Sequence, residues 1–176
     1  MDELVVKWPA RTFAFYAQVR AASDAILNKT ILAIDPSSGG SSQPGYAIFK
    51  AGKLVDSGEL KLPGNRHIQV RLAVMHDLLR GLLPNPPDIL VLEDVSLGKM
   101  AHVYLKWAVG ATIAAVASPE MIITPINVWK ALAKVMPAYT KTNATDAVLI
   151  GQSVILLAQE WQAQQKKIKL RRKRRR

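Results

Sequence analysis

The chain predicts an α/β fold: a mixed sheet, built from a three-stranded antiparallel meander plus parallel strands and flanked by helices. Two short, continuously apolar runs end in acids, TILAID at residues 30–35 and DILVLEDV at residues 88–95. Such runs are buried on both faces and belong at the centre of a sheet. Two further strand-like runs, GYAIFK (45–50) and KLVDSGEL (53–60), flank Ala51-Gly52 and read as a hairpin. After them, helical and strand patterns alternate. A meander followed by alternation is the signature of a mixed sheet.

Residues 1–28 read as an N-terminal extension, partly helical, with Phe13, Tyr16, Val19 and Ile26 near helical spacing. The first buried strand closes at Asp35-Pro36, and the Ser/Gly-rich stretch to Pro44 cannot continue regular structure. Ile68, Leu72, Met75, Leu79 and Leu82 keep a 3.6-residue period, so an amphipathic helix spans about 65–83 and stops at Pro84, Pro86 and Pro87. A strand at 88–95 is followed by a helix rich in small residues at about 98–117. EMIITP (120–125) reads as a last strand and 126–134 as a short helix. From Asn143 onward, Ala147, Ile150, Val154, Leu157 and Trp161 mark a closing helix.

The 176 residues carry a net charge of +11, unevenly placed. Residues 166–176, KKIKLRRKRRR, hold nine of the 24 Lys and Arg and no acid, so the remainder is nearly neutral, 15 bases against 13 acids. Residues 163–176 are expected to be a disordered basic tail. Clustered cations displace counterions from phosphates and bind without reading sequence. Lys166, Lys167, Lys169, Arg171, Arg172, Lys173, Arg174, Arg175 and Arg176 are therefore candidate nucleic-acid contacts, although anionic membranes or acidic proteins would satisfy the same charge. The absence of cysteine excludes disulfides and Cys-based zinc sites and suits a reducing, intracellular compartment. No apolar run is long enough to span a bilayer and no secretory signal is recognisable, so no membrane partner is expected.

Three carboxylates stand where packing alone does not explain them. Asp35 and Glu93 each end a buried strand, where a lone carboxylate must be solvated, paired or bound to metal. Side by side they would repel unless a cation sat between them. An all-oxygen site suits Mg²⁺ or Mn²⁺ rather than zinc. Each has a plainer reading: Asp35 as a turn residue before Pro36, Glu93 as a strand-end charge that alternates with Asp94, and Asp146 as part of a helix cap in Asn143-Ala-Thr-Asp146.

Taken in order, these segments resemble the RuvC-type Holliday junction resolvases of the RNase H-like superfamily. The resemblance rests on ILAIDPSSGGSSQPGYAIF (31–49), ILVLEDVS (89–96) followed by VYLKWAVGATIAAV (103–116), ITPINVWK (123–130) and TDAVLIG (145–151). It covers roughly residues 30–155 and implies an RNase H-like nuclease domain over 29–162. It also implies Asp35, Glu93 and Asp146 as catalytic metal ligands, holding two Mg²⁺ or Mn²⁺ ions roughly 3.5–4 Å apart. Asn143 stands where the family commonly has a fourth acid and would offer a neutral oxygen; Ser96 stands where an aromatic often contacts the junction. Lys130 and Lys141 are candidates for holding the phosphate, or else ordinary solvated lysines. The substrate implied is a four-way DNA junction, nicked symmetrically on two strands to leave 5′ phosphate and 3′ hydroxyl. That task suits a homodimer. The small residues Ala101, Ala108, Ala111 and Ala115 could form its interface or pack on the chain's own sheet. The departures suggest a divergent member, phage or organellar. Alternatives are another RNase H-like nuclease (flap, hybrid or terminase-type) and a non-catalytic nucleic-acid-binding protein. An actin-type or sugar-kinase ATPase is disfavoured, because EDVSLG (93–98) makes a poor second phosphate loop.

Overall fold

A computed structural model describes residues 6–10, 13–36, 43–64, 67–82, 85–94, 111, 120–136 and 139–174. Two short helices, α1 (Phe13–Ala21) and α2 (Ser23–Asn28), lead into strand β1 (Thr30–Asp35). The hairpin β2 (Gly45–Lys50) and β3 (Lys53–Glu59) follows, then α3 (Ile68–Leu82), β4 (Ile89–Glu93), β5 (Glu120–Thr124), α4 (Ile126–Ala133) and the long α5 (Asn143–Arg174). The expected helix at 98–117, with its proposed dimer face, lies outside the described residues apart from Ala111.

The five strands form one sheet in the order β3-β2-β1-β4-β5. β1 pairs antiparallel with β2, and β2 with β3; β1–β4 and β4–β5 are parallel. This is the mixed sheet the sequence predicts. The hairpin turns at Ala51 (φ 49°) and Gly52 (φ 72°), both left-handed as a tight two-residue connection between right-twisted strands requires.

The two faces of the sheet carry separate cores, and strand alternation assigns residues to each. Ile31 and Ala33 of β1, with Ile89 and Val91 of β4, face α1, α2, α4 and α5. Leu32, Ile34, Leu90 and Leu92 face Met75 and Leu79 of α3. The N-terminal helices are part of the first core: Phe15, Val19, Ala22 and Ile26 are buried in it. Gln18 Nε2 ties α1 to the Met121 carbonyl of β5 at 2.7 Å.

α5 lies close to the sheet because Gly151 has no side chain; a Cβ there would come within 2.3 Å of the Phe49 ring. Gly45, at the start of β2, packs against the Asn143 backbone, while Gly52 at the hairpin lies near Ile155. α5 therefore runs from the Asp35 end of the sheet to the hairpin end. Its 32 residues give it a length of about 48 Å. Residues 163–174, expected to be disordered, continue this helix. They contain neither Gly nor Pro, their Gln, Lys, Arg and Leu are good helix formers, and the packed first half supplies the nucleus. No helix among the described residues is long and apolar enough to cross a membrane.

Candidate active site

Parallel pairing puts the ends of β1 and β4 side by side: Ile34 is level with Leu92, so Asp35 and Glu93 follow at the same edge. Both continue the odd-numbered alternation of Ile31, Ala33, Ile89 and Val91, which points toward the α4–α5 side of the sheet. Asp94 follows the end of β4, is partly exposed, and its amide donates to the Thr124 carbonyl at 2.7 Å. Asp35 is level with Gly45, whose missing side chain lets the first turn of α5 approach. That contact brings Asp146 to the same edge.

The start of α5 separates the two readings of Asp146. Thr142, not Asn143, caps the helix: its Oγ1 accepts from the Thr145 amide at 3.1 Å and lies 2.7 Å from the Thr145 hydroxyl. The Asp146 amide bonds to the Thr142 carbonyl at 2.9 Å as an ordinary helical bond. The expected cap is thus shifted by one residue. The carboxylate of Asp146 is released from capping and turned inward, only 6% exposed.

Two aromatic donors hold the buried acids. Trp129 of α4 donates its indole N–H to Glu93 Oε1 at 3.2 Å, and Glu93 is also only 6% exposed. Tyr139, just before α5, donates its hydroxyl to Asp146 Oδ1 at 2.5 Å. Burial pushes the Tyr139 phenol up to about 12, helped by the bond to Asp146 and by the negative charges of Asp146 and Asp35. Tyr139 thus senses two of the three acids. Sequence reasoning passed over both aromatics; Trp129 beside Lys130, and Tyr139 seven residues before Asp146, were the available signals.

Thr124 completes the edge. It is level with Glu93 in the parallel β4–β5 pair, on the same pleat face as buried Ile122, and is itself fully buried. Among the described residues its Oγ1 has no hydrogen-bond partner. A buried hydroxyl left unsatisfied costs about 1–3 kcal/mol, so native proteins rarely leave one without a reason.

Asn143 ties the loop before β2 to the helix, its side-chain amide donating to the Gln43 carbonyl. Gln43 in turn bridges Leu62, accepting from its amide at 2.7 Å and donating to its carbonyl at 3.2 Å. Lys130 is exposed, its ammonium 5.4 Å from the centre of the Trp129 ring, and Lys141 is exposed just before α5. Among the described residues, no three His, Cys, Asp or Glu side chains form a ready ion-holding cluster. His67 and His76 lie on the α3 side, His76 beside Asp77 at 3.2 Å, and His102 lies outside the described residues, as does Ser96.

The basic residues gather at the far end of α5. Lys166, Lys167, Lys169, Arg171, Arg172 and Lys173 are exposed along the helix that ends at Arg174; Arg175 and Arg176 lie outside the described residues. Beside them Arg20 of α1 stacks 4.7 Å from the centre of the Trp161 ring. Arg20, Lys166 and Lys169 line an open cleft of about 420 Å³.

No protein-family model matches the sequence, and no curated protein matches it. Solved structures do. A structure of Thermus thermophilus RuvC in complex with a Holliday junction substrate superposes with a TM-score of 0.55 at 15% identity, covering 72% of this chain and 92% of that one. A second structure of RuvC from the same organism gives a TM-score of 0.51 at 13% identity, covering 78% and 96%. The chain has the RNase H-like fold of RuvC.

Proposed function

We propose that this protein is a divalent-metal-dependent, structure-selective endonuclease that resolves four-way DNA junctions by paired symmetric nicks, acting as a homodimer. The observation that carries the reading is the convergence of Asp35, Glu93 and Asp146 on one edge of a RuvC-like sheet, on the face covered by α4 and α5.

The residues fit a hard divalent cation in kind. They offer only oxygen donors, Mg²⁺ and Mn²⁺ prefer such donors, and the unsatisfied hydroxyl of Thr124 stands beside Glu93. Asp35, Glu93 and Asp146 would hold the metal, with Asn143 offering a neutral oxygen at the helix start. When bound, divalent ions at such a site lower the pKa of the attacking water and stabilise the departing 3′ oxygen. The chain's own groups do the rest. Trp129 orients Glu93 and Tyr139 orients Asp146, and the exposed Lys130 and Lys141 would hold the scissile phosphate. The cations at the end of α5 bind duplex phosphates without regard to sequence.

The test incubates the protein with a synthetic four-way junction, duplex, flap and RNA–DNA hybrid in Mg²⁺, Mn²⁺ or EDTA. Symmetric paired nicks in the junction alone, leaving 5′ phosphate and 3′ hydroxyl and abolished by EDTA, are the expected result. Cleavage of the hybrid or flap alone would make it a different RNase H-like nuclease. Binding with no cleavage of any substrate would make it a non-catalytic nucleic-acid-binding protein.

A further inference from the structure

We propose that Thr124 is an additional oxygen donor of the carboxylate site, its hydroxyl directed at a divalent cation held by Glu93, either directly or through one water of that cation. The inference deepens the metal-nuclease reading and rests on it.

Three observations converge on this side chain. First, Thr124 and Glu93 are partners in the parallel β4–β5 register, so their side chains leave the sheet on the same face. That face is the one carrying Ile122, Val91 and Ala33 beneath α4 and α5, toward which Asp35 also alternates. Second, Thr124 is fully buried and among the described residues its Oγ1 lacks a hydrogen-bond partner. Such a hydroxyl is normally satisfied by its own strand, a neighbouring carbonyl or water. The Thr124 backbone is engaged with β4, its C=O accepting from the Asp94 amide at 2.7 Å, while among the described residues no group bonds its Oγ1. Third, the Glu93 carboxylate is fixed from the α4 side by the Trp129 indole, which binds Oε1. A cation on this carboxylate has Thr124 as its neighbour along the sheet.

The chemistry is consistent with the donor set. Asn143, the residue at the expected fourth-acid position, spends its amide nitrogen on Gln43 at the other side of the site, next to β2. Mg²⁺ and Mn²⁺ accept neutral hydroxyls or retain waters bonded to them, and do not require a fourth carboxylate. A threonine that pairs only when the ion is present leaves the metal-free protein with an unmet group.

That asymmetry makes the proposal testable by a change of sign. Thr124→Val keeps the shape and removes the hydroxyl. In EDTA the variant should melt a few degrees higher than the wild type, because an unsatisfied buried hydroxyl has become a methyl. Its affinity for Mn²⁺, measured by titration calorimetry or by the bound-Mn²⁺ electron paramagnetic resonance signal, should fall by about tenfold, the usual effect of removing a supporting donor. Thr124→Ser should restore Mn²⁺ affinity to near the wild-type value. Unchanged Mn²⁺ affinity in Thr124→Val, with Asp35→Asn still abolishing binding, overturns the Thr124 assignment and leaves the metal site standing. A lower melting temperature of Thr124→Val in EDTA also overturns it, since the hydroxyl would then be satisfied within the protein. Wild-type protein that takes up no Mn²⁺ overturns the metal site and the assignment together.

Discussion

The two ends of α5 are opposite in every physical respect. At the first, Ala147, Ile150 and Val154 are buried against the sheet and the Asp146 carboxylate is turned into the interior. At the second, the lysines and arginines from Lys166 to Lys173 are exposed, Lys166 and Lys169 sharing an open cleft with Arg20 and Asp24. Lys166 lies 20 residues along the helix from Asp146, a distance of about 30 Å. One end has the buried, fixed acids that the proposed phosphodiester chemistry would use. The other has the solvated charge that attracts a polyanion without choosing where it is cut. A single continuous helix joins them, so affinity and the proposed catalysis should be separable by mutation.

The sharpest break is expected at Asp35. Asp35→Asn should lower the rate of junction cleavage by roughly 1,000-fold, about 4 kcal/mol of transition-state stabilisation, with junction binding in Ca²⁺ changed by less than about twofold. Parallel loss of binding and cleavage would mean the two ends are not independent.

Gly45→Ala should come next, because it attacks the joint that brings α5 to the acids. A Cβ there would stand 1.8 Å from the Asn143 carbonyl oxygen, backbone that cannot step aside. A loss of about 1–3 kcal/mol in urea unfolding is expected, together with reduced cleavage.

Deleting residues 166–176 should act only on the other half of the comparison. Junction affinity should fall about 10- to 30-fold near physiological salt, equally for duplex and junction. The salt dependence should flatten by about 0.9 in slope for each phosphate that the shortened chain no longer neutralises. Cleavage at saturating protein should be preserved.

The smallest effect belongs to Tyr139. Tyr139→Phe should cost about 1 kcal/mol of stability by removing the bond to Asp146. In the wild type the folded chain holds this phenolic proton more tightly than the unfolded chain does. Its contribution is therefore complete below pH 10 and is lost as pH rises from about 10 to about 12. Ultraviolet titration should show one late phenol near that upper value, absent in the variant. Tyr46, also raised by burial and by Asp56, accounts for a second late transition that persists.

Much of this was legible in the chain itself. Continuous apolar runs ending in Asp35 and Glu93 identify central strands because burial on both faces demands them, and Gly52 between two strand-like runs identifies the hairpin because the left-handed turn favours glycine there. The charge asymmetry of the last 11 residues is likewise a property of sequence alone. Their helical state was not: composition reads as disorder, and the packed first half of α5 overrides it.

Tertiary structure decided which residues meet. Parallel register places Asp35 level with Glu93, and the close approach at Gly45 brings Asp146 to the same edge. The capping ambiguity at Asp146 was resolved by a one-residue shift to Thr142, which local pattern does not distinguish. Thr124 and Trp129 lie within ITPINVWK and Tyr139 stands seven residues before Asp146, but which acid each aromatic bonds, and that the Thr124 hydroxyl bonds no described group, is set by packing and not by spacing. Sequence determines where a chain can be buried and where it must stay charged, because those depend on the residue itself. The partners of a buried polar group depend on the packing of distant segments, and that exists only in the folded chain.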